Sequence, residues 1–143
     1  MWRYGIMASQ LKVDTLTGVT TAGSIVVTGE GNSTTTNLQQ GLAKQWVSLD
    51  QTGTAAINDS FNTASVTDNG TGDFNPNFTN NMSSANGYAV SLCCGDSGAR
   101  FHGDIVNKAA VTSSTYRTYW VNTTNASEND NDIATSIVHG DLA

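Results

Sequence analysis

The sequence predicts an all-β protein: an antiparallel β-sandwich of six to seven strands with an extended N-terminal arm and one short helix. Three observations carry this. Apolar residues alternate with polar ones from Trp46 to the C-terminal end. Asn, Asp and Gly clusters separate the alternating runs. Thr, Asn, Ser and Gly number 20, 15, 14 and 14 among 143 residues, so residues that favour strands and turns dominate over helix formers. Hydrophobic residues make up 38% of the chain, enough for one core.

The chain divides into an arm, residues 1–45, and a sandwich domain, residues 46–143. Residues 8–37 hold no aromatic side chain. They read as two short strands, Leu11–Leu16 and Ser24–Thr28, closed off by Gly29, Glu30, Gly31 and Asn32. Thr34, Thr35 and Thr36 then offer N-cap hydroxyls. Leu38, Leu42 and Trp46 follow at helical spacing, one stripe of a short helix weakened by Gly41. A helix this short is marginal alone and needs a partner to pack against.

In the sandwich domain, Ser60–Val66 and Asp73–Thr79 flank Asp68, Asn69, Gly70, Thr71 and Gly72. This is a hairpin signal, because Asn and Gly accept positive φ. Phe74, Pro76 and Phe78 share one face of the second run, with Asn75 and Asn77 opposite. Pro76 cannot donate to a ladder, which places this strand at a sheet edge. Tyr88, Val90, Leu92 and Cys94 alternate with Ala89, Ser91 and Cys93. Phe101, Gly103 and Ile105 alternate with Arg100, His102 and Asp104. Tyr116, Thr118 and Trp120 alternate with Arg117, Tyr119 and Val121. A polar loop from Asn122 to Asp132 leads to a last strand, Ile133–His139, with Ile133 and Ile137 on one face and Ala134 and Val138 on the other.

Several function classes are disfavoured. The net charge is −6 and no basic stripe exists, which argues against nucleic acid as a partner. No apolar run approaches the ~20 residues of a membrane span, and the segment around Met1–Met7 is too short and polar for a leader. Cys93 and Cys94 are adjacent. On a strand they point to opposite faces and read as free thiols, one of them buried, with no metal spacing.

Chemical motifs are weak. Cys94, Gly95, Asp96, Ser97 and Gly98 look like the nucleophile segment of trypsin-like proteases. However, both histidines, His102 and His139, follow Ser97, and Ala99 and Arg100 replace the motif's second Gly and Pro. A Gly-Asp-Ser-Gly turn is the simpler reading. Asp68, Asp73 and the run Glu128–Asp132 carry oxygens suited to calcium, but without the spacing of a calcium loop, so solvated polar loops are expected. Trp46, Trp120, Tyr116 and Tyr119 offer either a sugar-stacking platform or core packing. The expectation is no catalysis, no cofactor and no metal.

Two segments resemble small virion proteins of tailed bacteriophages. One is Met7–Leu16, whose Ser9, Leu11, Lys12, Val13, Asp14 and Leu16 are similar to the opening of such proteins; Met1 and Met7 both remain possible starts. The other runs through Lys44, Trp46 and Val47, then Phe61, Asn62, Ser65, Val66, Thr67, Asp68, Asn69, Gly70, Thr71, Gly72 and Asp73, and on to Tyr88, Ala89 and Val90. The resemblance implies a fibre-like or head-decoration subunit located in the virion, a homotrimer in contact with other virion proteins and without enzymatic activity. The alternative is a receptor-binding module at a fibre tip that recognises a host surface glycan. The residues expected to hold the trimer or attach it are Leu11, Val13, Leu16, Ile25, Val27, Leu38, Leu42 and Trp46.

Overall fold

The computed structural model describes residues 11–19, 25–29, 34–95, 101–106 and 110–143. In chain order they form β1 (Val26–Thr28), β2 (Thr35–Asn37), α1 (Leu38–Gly41), β3 (Ala43–Asp50), β4 (Ala56–Phe61), β5 (Thr63–Gly70), β6 (Asp73–Phe78), β7 (Tyr88–Gly95), β8 (Phe101–Ile105), β9 (Thr118–Asn122) and β10 (Ile133–Gly140). The fold is all-β. β1 and β2 form a small ribbon. The other eight strands form two antiparallel sheets, ordered β4-β3-β10-β7 and β5-β6-β9-β8.

The arrangement is sandwich-like because the buried sides of the two sheets share their core. Val47, Leu49 and Ala134 from the first sheet pack with Phe74 and Trp120 from the second. Val138 packs with Phe78, Met82 and Tyr116 in a second cluster. Phe78 meets Tyr88 edge-on at 5.7 Å and lies 5.6 Å from Tyr116. Gly103 gives the indole its room: a Cβ there would fall 2.3 Å from Trp120 Cζ3.

The alternation expected for the later strands is observed. Tyr88, Val90, Leu92 and Cys94 turn inward on β7, and Ala134, Ser136 and Val138 on β10. Asn75 and Asn77 lie opposite the buried Phe74, Pro76 and Phe78. The hairpin forms between β5 and β6, with Gly70 and Gly72 at φ 130° and 70°.

Four expectations are corrected. First, the Leu38, Leu42, Trp46 stripe does not form. α1 is a single turn, Leu42 is extended at φ −92° and ψ 139°, and Trp46 lies on β3. A helix of one turn has too few bonds to propagate, whereas β3 gains ladders on both sides. The cap is Asn37, not the threonines: its Oδ1 accepts from the amides of Gln39 at 2.8 Å and Gln40 at 3.2 Å. Thr35 and Thr36 belong to β2. β3 begins at Ala43, inside the residues assigned to the arm.

Second, Leu11–Leu16 is not a strand; residues 11–19 carry no regular structure. Of the expected strand Ser24–Thr28, Val26–Thr28 forms β1, and Ser24 lies outside the described residues, as do Met1, Met7, Glu30, Gly31 and Asn32.

Third, Ser60–Val66 is two strands. Asn62 sits at φ 55°, and the chain passes there from β4 in one sheet to β5 in the other. Its side chain secures the corner. Nδ2 donates to the carbonyls of Lys44 and Asn80 at 2.9 and 3.1 Å, and Oδ1 accepts from the Asn80 amide at 2.6 Å.

Fourth, Pro76 is not on an edge strand. β6 lies between β5 and β9. The β6–β9 ladder covers only Asp73 and Phe74, so no bond is demanded of the proline nitrogen. The Pro76 carbonyl instead accepts from Thr115 Oγ1 at 2.7 Å.

Candidate functional site

The outward sides of the two sheets differ in chemistry. On β4-β3-β10-β7, cross-strand pairing sets Phe61, Trp46, Ile137 and Ser91 side by side in one row. Phe61 and Ile137 are exposed, and so is Ile133 further along β10. Asp59, Ser48, Thr135 and Cys93 make the next row. The result is a short apolar band across an otherwise polar face.

On β5-β6-β9-β8 the outward row is Asp73, Tyr119 and Asp104. Arg117 Nε donates to Asp73 Oδ1 at 2.7 Å, and Arg117 Nη2 pairs with Asp73 Oδ2. These donors hold the Asp73 carboxyl below the usual carboxylate range. Asn69 Nδ2 donates to Asn75 Oδ1, and Asn77 Nδ2 to Ser65 Oγ and Thr67 Oγ1. The Tyr119 hydroxyl donates to Glu128 Oε1 at 2.5 Å, which raises its pKa.

The acidic loop does structural work beyond meeting solvent. Asp130 Oδ1 accepts from the Gly72 amide at 2.8 Å, pinning the loop to the hairpin turn. Asn131 is fully buried, and its amide and Nδ2 both donate to Gln51 Oε1 at 3.1 Å. Asp68 Oδ1 accepts from the Gly70 amide. No group of three or more His, Cys, Asp or Glu residues gathers among the described residues.

Asp96, Ser97, Gly98, Ala99 and Arg100 lie outside the described residues. His102 is exposed, 3.5 Å from Asp104, and His139 is exposed on β10. The cysteines point as expected: Cys93 is exposed and Cys94 packs against the core, which raises its pKa by burial. Both are free thiols.

The expected assembly residues do not converge. Leu11, Val13 and Leu16 are 78%, 54% and 55% exposed, and Val19 is 94% exposed. Val27 on β1 and Leu42 after α1 are exposed too. Ile25 and Leu38 are half-buried and adjoin through the Leu38 amide, which donates to the Ile25 carbonyl at 2.9 Å. Trp46 stands apart, on the outward side of β3.

Two features were not foreseen. Phe61, Ile133 and Ile137 add to the apolar surface; the available signal was that both faces of the last strand are apolar. The core also contains polar side chains. The buried Tyr116 hydroxyl bonds with Gln45 Oε1 at 3.0 Å and with Ser136 Oγ, while Gln45 Nε2 donates to Thr63 Oγ1 at 2.7 Å. Burial pushes the Tyr116 phenol far up and that of Tyr88 to about 12. No family model, curated protein or solved structure matches this chain.

Proposed function

We propose that the chain is a structural subunit of a bacteriophage virion, a surface fibre-like or capsid-decoration protein that acts by assembly and not by catalysis. The observation that carries this is the uncovered apolar surface of the arm: Leu11, Val13, Leu16, Val19, Val26 and Val27 are all exposed. Each such side chain left in water forgoes roughly 1.5–3 kcal/mol. Association with further copies, as a homotrimer, or with other virion proteins covers them. The resemblance of Met7–Leu16 and of the Phe61–Asp73 hairpin to virion proteins supports the same reading. Multi-angle light scattering on the full chain tests it, with a trimer as the expected mass. Peptides of this protein in gradient-purified particles, at a fixed copy number, test the location. A monomer at micromolar concentration, absent from particles, refutes it.

A second reading, glycan binding, is favoured by one observation. Tyr119 lies outward between Asp73 and Asp104, an aromatic beside polar side chains. Trp120 is buried and offers no stacking face. A glycan array probed with the protein and with Tyr119→Ala decides this: binding lost in the variant supports the second reading, and no binding by either removes it.

A further inference from the structure

The edges of the two sheets are not equally guarded. β4 carries Asp59, and its register against β3 shifts between Ser48 and Leu49. β5 has two register shifts against β6 and carries Asp68. β8 is five residues long and carries His102 and Asp104. β7 has none of these protections. It pairs with β10 over eight consecutive residues without a shift, from Tyr88↔Gly140 to Gly95↔Ile133. It contains no charged residue and no proline. Among the described residues, no strand pairs with its other side. A long, flat, uncharged edge presents a row of free amides and carbonyls to any extended chain.

Among the described residues, β8 of the other sheet runs close to β7 without pairing with it, and the inward side of β7 is covered less than that of β10. Val90, Leu92 and Cys94 face inward yet are only half-buried, whereas Ala134, Ser136 and Val138 on the neighbouring β10 are almost fully buried. The uncovered surface is therefore both main-chain and apolar. The same chain holds a matching piece. Residues 11–14 alternate Leu11 and Val13 with Lys12 and Asp14, with Thr15 continuing the first side and Leu16 the second; residues 11–16 carry no regular structure and expose their apolar side chains.

We propose that the free edge of β7 accepts residues 11–16 of a neighbouring copy as an added strand. Leu11 and Val13 then lie beside Val90 and Leu92, and Lys12 and Asp14 stay on the wet side with Ser91 and Cys93. The added main-chain bonds give affinity, and the alternating apolar residues set the register. Donor and acceptor are different surfaces, so the contact runs head to tail, and a three-fold rotation between copies would close it into the proposed trimer. The inference rests on the assembly reading above and names the surface that the arm meets.

The test uses the full chain. In Lys12→Cys with Cys93→Ser, mixed with unaltered protein, a short bis-maleimide is expected to link position 12 of one chain to Cys93 of another. Amides 11–16 are expected to exchange roughly tenfold slower in the assembled protein than in Ser91→Lys with Cys93→Lys, which charges the edge from its exposed side. That double variant is expected to keep the parent's circular dichroism spectrum and to fall to monomers, with a melting temperature lower than the parent's by the lost association. Association without arm protection or cross-link overturns this inference and leaves the assembly reading standing. Protection of β7 alone, the mark of β7 pairing with β7, also overturns it, as does a charged-edge variant that stays assembled. A protein that is monomeric throughout overturns this inference, and one that is also absent from purified particles overturns both readings.

Discussion

Residues 11–19 and the hairpin of β5 and β6 begin from similar raw material: short segments in which Thr and other polar residues separate the apolar ones, in strict alternation over residues 11–14 and along β6. They end differently. The hairpin buries Phe74, Pro76 and Phe78, while Leu11, Val13, Leu16 and Val19 remain in water. The hairpin ladder is imperfect, with two register shifts, yet it is held where Phe74 and Phe78 enter the core shared by both sheets. Alternation becomes a strand when a second surface receives its apolar side. Without that surface the same pattern stays open.

Removing side-chain volume separates the two regions most strongly. Phe74→Ala is expected to cost about 3–5 kcal/mol in chemical denaturation, and Leu16→Ala almost nothing in the monomer. Equal losses would show that the arm belongs to the core.

The turn comes next. Gly72 has φ 70°, and a Cβ there would meet the Trp120 carbonyl at 2.6 Å and the Asn129 amide at 2.9 Å. Gly70 has φ 130° and open space around it. Gly72→Ala should therefore exceed the ~1–3 kcal/mol of a strained non-glycine residue, and Gly70→Ala should stay within it. The reverse order, measured by urea midpoint, would place the tight approach elsewhere.

The corner sharpens the point about sheet-to-sheet passage. Asn62→Gly keeps the positive φ and removes the side-chain bonds to Lys44 and Asn80, and about 1–2 kcal/mol should be lost. Asn62→Val should lose more, because a β-branched residue also resists that φ.

The smallest effect is electrostatic. The Asp73 carboxyl is held below its unfolded value by Arg117, so its stabilisation is present above the unfolded pKa and is lost as pH falls through the folded one. Asp73→Asn should lower the melting temperature at neutral pH. The gap from the parent should close in the acid range below about pH 4. A gap that persists at low pH would mean that packing, not charge, holds this pair.

Most strands were legible because their alternation is strict, as in Tyr88–Cys94 and Ile133–His139. The helix stripe misled because Leu38, Leu42 and Trp46 match helical spacing, although strand pairing takes residues from Ala43 onward. Pro76 misled because edge position was inferred from the missing donor, and the fold instead ends the β6–β9 ladder before the proline. Among the candidate assembly residues, local pattern showed which are apolar. It did not show that Trp46 faces outward in a row with Phe61 and Ile137.

Local pattern is enough for the all-β class, the hairpin turn at Asp68–Gly72 and the inward side of each later strand, because period-two patterning and turn chemistry act over a few residues. Packing alone determines that Asn62 passes the chain between sheets, that Gln45, Tyr116 and Ser136 form a buried polar network, and that β7 is an edge strand among the described residues. Each of these depends on which distant strand lies alongside, a choice made by burial across the two sheets that no local spacing records.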